Sequence, residues 1–390
     1  MKITDIKTFL IHPDVGKNLL FVKVETDEGI HGWGESYTQA DRDTAIEVHI
    51  KNISRYLQGW NPFEIKLYTH FTYEDWAAKR GSMDFYCAAS GIEIALWDIV
   101  GKKLNQPIYN LLGGPCREQV RVYANGWSSH AETPDELGKK AQEVVRKGFT
   151  ALKVDLFTGP SRLYITQKEE QLALERVKAV REAVGSDVDI MVDVLRSLAP
   201  MHAIKVAKML EKYNIFWYEE PVPVENLDAL AEVRRGIDTP VVTGECLYTK
   251  AGFREVLDKR AVDILNPDVC NTGGILELKE IAAMAEPYYV AVAPHNYNST
   301  AIGLGASLQA AAVMTNFLIL EYFIFFESIG NKIAVNPLRV ENGFIRLPTT
   351  PGLGLELNEE ALAHYKYKEF PKRHARMQYA ESNHRRILGD

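Results

Sequence analysis

Ile190-Met-Val-Asp193, Ile215-Phe-Trp-Tyr-Glu219, Val241-Val-Thr-Gly-Glu245, Ile264-Leu-Asn-Pro-Asp268 and Val292-Ala-Pro-His295 punctuate the middle of this 390-residue chain. Each is a short apolar run ending on an acid or a histidine, and the end residues are 26, 26, 23 and 27 positions apart. Such an interval holds one strand, one helix and two loops. Groups at the C-terminal ends of successive parallel strands converge on one face of a barrel, where the catalytic groups of such barrels sit. The spacing alone therefore predicts a metal-assisted enzyme.

Outward from this stretch the alternation continues. Candidate strands fall at 120–124, 151–154, 188–193, 215–219, 241–244, 262–266, 289–293 and 317–321, with amphipathic segments between them. In 201–210, for example, Ala203, Val206, Ala207 and Leu210 recur as one buried stripe. Eight alternations fit a (β/α) barrel better than an open sheet. After Glu321 no clear barrel helix follows at once. The first ~115 residues read differently: strands at 2–11, 19–25 and 30–35, a hairpin turn at Thr26-Asp-Glu-Gly29, then a helical pattern over 83–104. Strands followed by helices indicate a separate α+β domain. We therefore expect an α+β domain over 1–118, a barrel over 119–330, and a segment over 331–390, with turns at Asn336-Pro and Pro351-Gly, that packs back on the first domain.

Composition restricts the partners. A net charge of −7 offers no basic face for nucleic acid. No stretch approaches the roughly 20 apolar residues of a membrane span; the richest, 317–326, is short and contains Glu321. Cys87, Cys116, Cys246 and Cys270 form no CxxC pair and suggest no disulfide framework, which fits a reducing cytoplasm. A homo-oligomer is expected.

Taken in order, the chemical residues carry a resemblance that covers nearly the whole chain. Lys153 falls on the second barrel strand, Asp193, Glu219 and Glu245 on the third to fifth, Asp268 and His295 on the sixth and seventh, and Glu321 on the eighth. This set resembles the enolase superfamily and, within it, the mandelate racemase subgroup. The segments Tyr123-Ala-Asn-Gly-Trp127, Glu219-Glu-Pro-Val222 and Asn266-Pro-Asp-Val-Cys-Asn-Thr-Gly-Gly274 are similar to its sugar-acid dehydratases of the gluconate and galactonate type. The resemblance implies an N-terminal capping domain completed by the C-terminal segment, a modified (β/α)7β TIM-type barrel, and bound Mg²⁺.

Asp193, Glu219 and Glu245 are the candidate metal ligands, since carboxylates with open positions suit a hard ion that prefers oxygen. One acid alone reads as a polar strand end or a helix cap; three in step do not. Glu220 should point to the opposite side by strand alternation. By the resemblance His295 is the base that removes the substrate's α-proton, and Asp268 accepts its other N–H. Glu321 is either a hydrogen-bond partner of the substrate carboxylate or a buried ion-pair partner. Lys153 stabilises an enediolate intermediate. Asp155, two residues on and facing the same side, should keep Lys153 charged.

One position departs from the dehydratases, which commonly place a histidine two residues after the third-strand acid to protonate the leaving hydroxyl. Here that residue is Leu195. Arg196, Ser197 or His295 would have to serve instead. Substrate-binding candidates are Asp155, Asn125, Arg196 and Arg80, together with Trp127 and the loop 15–18; for Arg80 a solvated surface role competes. The function expected is a Mg²⁺-dependent hydro-lyase converting a sugar acid, an aldonate or aldarate, into a 2-keto-3-deoxy acid. The alternatives are an epimerase, racemase or cycloisomerase on a related carboxylate, or a weakly active binding or regulatory member of the family.

Overall fold

The computed structural model describes residues 1–157 and 163–371, so the end of the expected 331–390 segment lies outside the described residues. The chain forms two compact units. One takes Met1–Val122, Gly244–Arg254 and Leu265–Lys368; the other includes Tyr123–Thr243 and Glu255–Ile264.

The first unit opens with an antiparallel meander of β1 (Ile3–Ile11), β2 (Leu19–Thr26) and β3 (His31–Ser36). Gly29 takes φ 75° in the β2–β3 turn and returns its N–H to the Thr26 carbonyl. Helix Met83–Leu104 packs on this sheet. Ser82 caps its start by accepting the Phe85 N–H, and Asn105 ends it in the left-handed conformation. Two glycines set the close approach of helix and strand: a Cβ on Gly34 would lie 1.7 Å from the Gly91 carbonyl oxygen, and one on Gly32 2.1 Å from that of Ala95.

The same packing buries Glu35, Glu93 and Asp98. Their oxygens satisfy main-chain N–H groups, which must find partners once out of water. Glu93 accepts from Ile275 and Leu276, at the start of helix Ile275–Ala285, at 2.7 and 2.9 Å. Asp98 accepts from Trp33 and Leu353 at 2.9 and 2.8 Å, and Glu35 from Ser299 and Gly303 at 2.8 and 2.7 Å. Burial pushes the carboxyl of Glu93 up to about 8 and that of Glu35 up to about 7, against the pull of these donors.

In the second unit the end of β4 (Gln119–Asn125), β5 (Ala151–Asp155), β6 (Asp189–Asp193), β7 (Trp217–Glu219) and β8 (Val241–Thr243) pair in parallel. Asp155 is in register with Asp193, and Asp193 with Glu219, which brings three strand-end acids to one level. The intervening helices carry clear start signals. Thr133 with Glu136 and Thr166 with Glu169 form capping boxes, Pro134 and Pro200 occupy first-turn positions, and Asn226 caps Leu227–Gly236.

With β9 (Ile264–Leu265), β10 (Ala291–Val292) and β11 (Leu320–Phe323), the sheet order is β10-β9-β8-β7-β6-β5-β4-β11. Val292 also bridges Phe317 in parallel, so the two ends of that order meet. Seven helices of ten or more residues alternate with these eight strands among the described residues. The expected (β/α)7β barrel with an N-terminal α+β portion is the fold. Several strands are shorter than the apolar runs. Tyr289, expected in a strand, instead ends a 3₁₀ turn at φ 62° and is 98% exposed, so the strand starts only at Ala291. A short helix, Glu327–Ile333, does follow Glu321. β12 (Phe344–Arg346) pairs with Gln119–Arg121, and farther along the tail Lys366 accepts the His12 N–H. No helix of the described residues is long and apolar enough to cross a membrane.

The glycine contacts give a stability test. Gly34→Ala should cost about 1–3 kcal/mol by overpacking. Gly252→Ala, in helix Thr249–Asp258 with nothing within 4 Å of its built Cβ, should be neutral or gain about 0.5–1 kcal/mol. Urea unfolding midpoints in the opposite order would contradict this packing.

Candidate active site

Two clusters of chemical groups stand at the strand ends, one in each unit. In the first, Lys153 on β5 is 1% exposed and its Nζ donates to Glu219 Oε1 at 2.5 Å, with Asp193 Oδ2 at 3.5 Å. The other oxygen of Glu219 accepts Trp217 Nε1–H at 2.9 Å, and the ring of Tyr123 lies 5.6 Å from the ammonium. Asp193 Oδ1 accepts the Leu195 N–H at 2.9 Å. Two buried carboxylates are thus met by one buried cation and by neutral donors, the condition under which such charges are tolerated.

The backbone just past these strands is left-handed at three non-glycine residues, Leu195 (φ 52°), Arg196 (φ 60°) and Glu220 (φ 45°). Strain of this kind concentrates at functional sites. It also ends the strand alternation, so a residue two positions past Asp193, such as Leu195, is not placed on the same face by that rule. Glu220 is fully buried; Thr243 Oγ1 donates to it at 2.7 Å and Arg196 Nη1 lies 3.5 Å away.

In the other cluster, Asp268 and His295 form a parallel bridge at the ends of β9 and β10. His295 Nδ1 is 2.7 Å from Asp268 Oδ2. A carboxylate can only accept, which assigns the proton to Nδ1 and leaves Nε2 for other work. Nε2 lies 3.3 Å from Glu245 Oε2 and 3.7 Å from Glu321 Oε2. Burial opposes the imidazolium, but Glu321, Glu245 and Asp268 outweigh it and raise His295 to about 9. Glu321 also accepts the Asn296 N–H at 2.9 Å. Asn298 Nδ2 donates to both oxygens of Asp268, at 2.9 and 2.8 Å.

An aromatic wall backs the histidine. The Tyr37 ring is 6.0 Å from that of His295, and Lys17 Nζ lies over Tyr37 at 3.8 Å and over Tyr297 at 4.3 Å. Burial brings Lys17 down to about 8, with Asp268 and Glu35 working the other way. Its ammonium donates to the Thr38 carbonyl at 2.9 Å.

Asp193 and Glu219 in one unit, and Glu245 in the other, offer carboxylate oxygens. Such an all-oxygen set fits a hard divalent cation. The N-terminal domain model of the mandelate racemase / muconate lactonizing enzyme family matches residues 11–113, and the enolase C-terminal domain-like model matches 136–361. The chain belongs to this branch of the enolase superfamily. It is 37% identical to the D-xylonate dehydratase of Haloferax volcanii, over 93% of this chain and 88% of that one. It is 33% identical to the D-galactarolactone cycloisomerase of Agrobacterium fabrum, over 94% and 99%. The structure of a mandelate racemase/muconate lactonizing enzyme-like protein from Roseovarius sp. TM1035 superposes with a TM-score of 0.89 at 32% identity, covering 96% of this chain and 99% of that one.

Among the enolase-superfamily candidates, the structure gathers Lys153, Asp193 and Glu219 in one cluster and Glu245, Asp268, His295 and Glu321 in the other. Asp155 ends β5 level with Asp193, and Glu219 and Asp193 are among the carboxylates that meet Lys153. Asn125 is buried at the end of β4, where its Oδ1 accepts the Gly126 N–H at 2.7 Å. Arg196 is turned to Glu220, and Arg80 is exposed on a cleft of about 330 Å³ lined by Tyr73, Tyr86 and Tyr248. Sequence reasoning missed Glu35, Tyr37 and Asn298. Glu35 did carry a signal, as an acid closing an apolar strand, but the polar run 296–300 reads only as a loop.

Removing the cation from the Lys153 cluster should be costly. Lys153→Met should destabilise by about 3–5 kcal/mol, because it strands buried carboxylates. Glu219→Gln added to it should recover part of the loss in a denaturant titration. Equal stability of Lys153→Met and wild type would contradict the pairing.

Proposed function

We propose that the chain is a Mg²⁺-dependent hydro-lyase that converts an aldonate or aldarate into a 2-keto-3-deoxy acid through an enediolate. The observation that carries the reading is the His295–Asp268 pair, with Nδ1 tied to the acid and Nε2 beside Glu245 and Glu321. A binding protein has no need of a base and its orienting acid. The dehydratase among the relatives supports the reaction class.

Asp193, Glu219 and Glu245 would hold the cation. Bound there, Mg²⁺ supplies positive charge that acidifies the α-proton of a coordinated carboxylate substrate. The neutral imidazole of His295, the minor form below about 9, would take that proton at Nε2, and Asp268 would steady the imidazolium it becomes. Lys153, held charged by Glu219 and Asp193, offsets the negative charge gathering on the substrate. Glu321, in its protonated form, would donate to the substrate carboxylate, and Asp155, Asn125, Arg80 and Arg196 are proposed to contact its hydroxyls or distal end.

The leaving hydroxyl needs a proton, and Leu195 has none to give. Arg196 is engaged with Glu220, and Ser197 Oγ donates to the Leu195 carbonyl at 3.3 Å. We therefore assign the acid role to His295: the proton taken from Cα departs with the β-hydroxyl as water, on the same face. The resulting enol becomes the 2-keto-3-deoxy acid. A second reading, epimerase or cycloisomerase, is favoured by the galactarolactone cycloisomerase among the relatives.

Incubation with a panel of aldonates and aldarates should yield 2-keto-3-deoxy product from at least one, with turnover abolished by chelator and restored by Mg²⁺. Undiminished turnover in metal-free protein would refute the metal's role. His295→Asn should lower both turnover and exchange of the α-hydrogen with solvent by about 10²–10⁴-fold, as expected for a general base. In heavy water only one α-epimer should exchange, because Lys153 is held protonated and cannot serve as base on the second face. Labelling of both epimers, seen by mass spectrometry, would favour the epimerase reading.

A further inference from the structure

Asp268 orients His295, and Asp268 is itself held. Its Oδ1 accepts the Cys270 N–H at 2.8 Å, and Asn298 Nδ2 bridges both oxygens. With His295 on Oδ2, the carboxylate has donors on both oxygens and one rotational setting that serves them all. Asn298 is 1% exposed, so its amide cannot swing away to water.

The segment that carries Asn298 is fixed from the N-terminal sheet. Glu35, on β3, accepts the Ser299 N–H at 2.8 Å, the Ser299 hydroxyl at 2.5 Å and the Gly303 N–H at 2.7 Å. A Cβ on Gly303 would lie 2.7 Å from Cβ of Asn298, so the turn closes tightly around that side chain. Two residues after Glu35, the Tyr37 N–H donates to the Cys270 carbonyl at 3.0 Å. β3 and the residues after it thus reach Asp268 by two routes, through Asn298 and through Cys270.

We infer that Asn298 and Glu35 are positioning residues for the His295 base. Asn298 sets the rotation of Asp268, hence the Nδ1–H tautomer and the direction of Nε2, and Glu35 holds Asn298 in place. The N-terminal sheet is then part of the base assembly itself. This rests on His295 being the base, but the arrangement can be read without substrate.

The test is NMR on histidine-labelled full-length protein, with His295→Asn assigning the hydrogen-bonded Nδ1–H proton of His295. That low-field signal is expected in wild type and lost to rapid water exchange in Asn298→Leu, which keeps the shape and removes the donor. In parallel, kcat should fall about 10–100-fold, the range seen when an outer-shell partner of a ligand histidine is removed, with KM nearly unchanged. Asn298→Ser should partly restore the signal, and Glu35→Gln should weaken it. Asp98→Asn, which disturbs another buried carboxylate, should leave it intact. If Asn298→Leu does not fold, Asn298→Ser and Glu35→Gln read the same proton. A wild-type signal and kcat in Asn298→Leu, or in both other variants, would overturn the inference. Wild type that turns over no sugar acid yet shows the signal pattern would refute the proposed function and not the positioning network.

Discussion

A carboxylate withdrawn from water has to be met by a cation or by hydrogen-bond donors, and much of this chain is arranged around that requirement. Lys153 answers Glu219 and Asp193; His295, Asn298 and the Cys270 N–H answer Asp268; the Asn296 N–H answers one oxygen of Glu321. Away from the chemistry, Glu35, Glu93 and Asp98 take main-chain N–H groups at turns and at a helix start. In the first unit Asp268, Glu321, Glu35, Glu93 and Asp98 each take main-chain N–H groups, so its folding and the ordering of its candidate site draw on the same interactions.

Much of this was legible in the sequence. Strand-end acids repeat at the period of a β/α unit because the barrel puts successive strand ends on one face, and the register of Asp155, Asp193 and Glu219 is that geometry made visible. The helix 83–104 was readable because its apolar residues keep helical spacing, and in the structure Ser82 and Asn105 cap its ends. The Asp268–His295 contact is the one the resemblance implied, and the two residues lie just past adjacent strands.

What was not legible depends on tertiary packing. Strand ends such as Tyr289 look apolar in sequence, yet the preceding 3₁₀ turn forces a left-handed residue there. At Leu195, two residues past Asp193, strand alternation fails because the backbone turns left-handed. The carboxylates against Lys153 come from strands β6 and β7, and strand-local reasoning sees only Asp155. Glu35 and Asn298 are 263 positions apart, and no spacing rule joins them. Lys17 falls in the 15–18 loop, named from the sequence as a substrate-binding candidate, but the burial of its ammonium against Tyr37 and Tyr297 follows from no local pattern.

The proposal most exposed to test is that the carboxylates of Asp193, Glu219 and Glu245 would together hold a divalent cation. Calorimetric titration of Mg²⁺ into metal-free protein tests it most directly. The account predicts one site that is weakened or lost in Asp193→Asn, Glu219→Gln and Glu245→Gln and retained in Glu220→Gln, whose carboxylate is occupied by Thr243 and Arg196. Absence of binding in the wild type, or binding that survives Glu245→Gln and fails in Glu220→Gln, would contradict it.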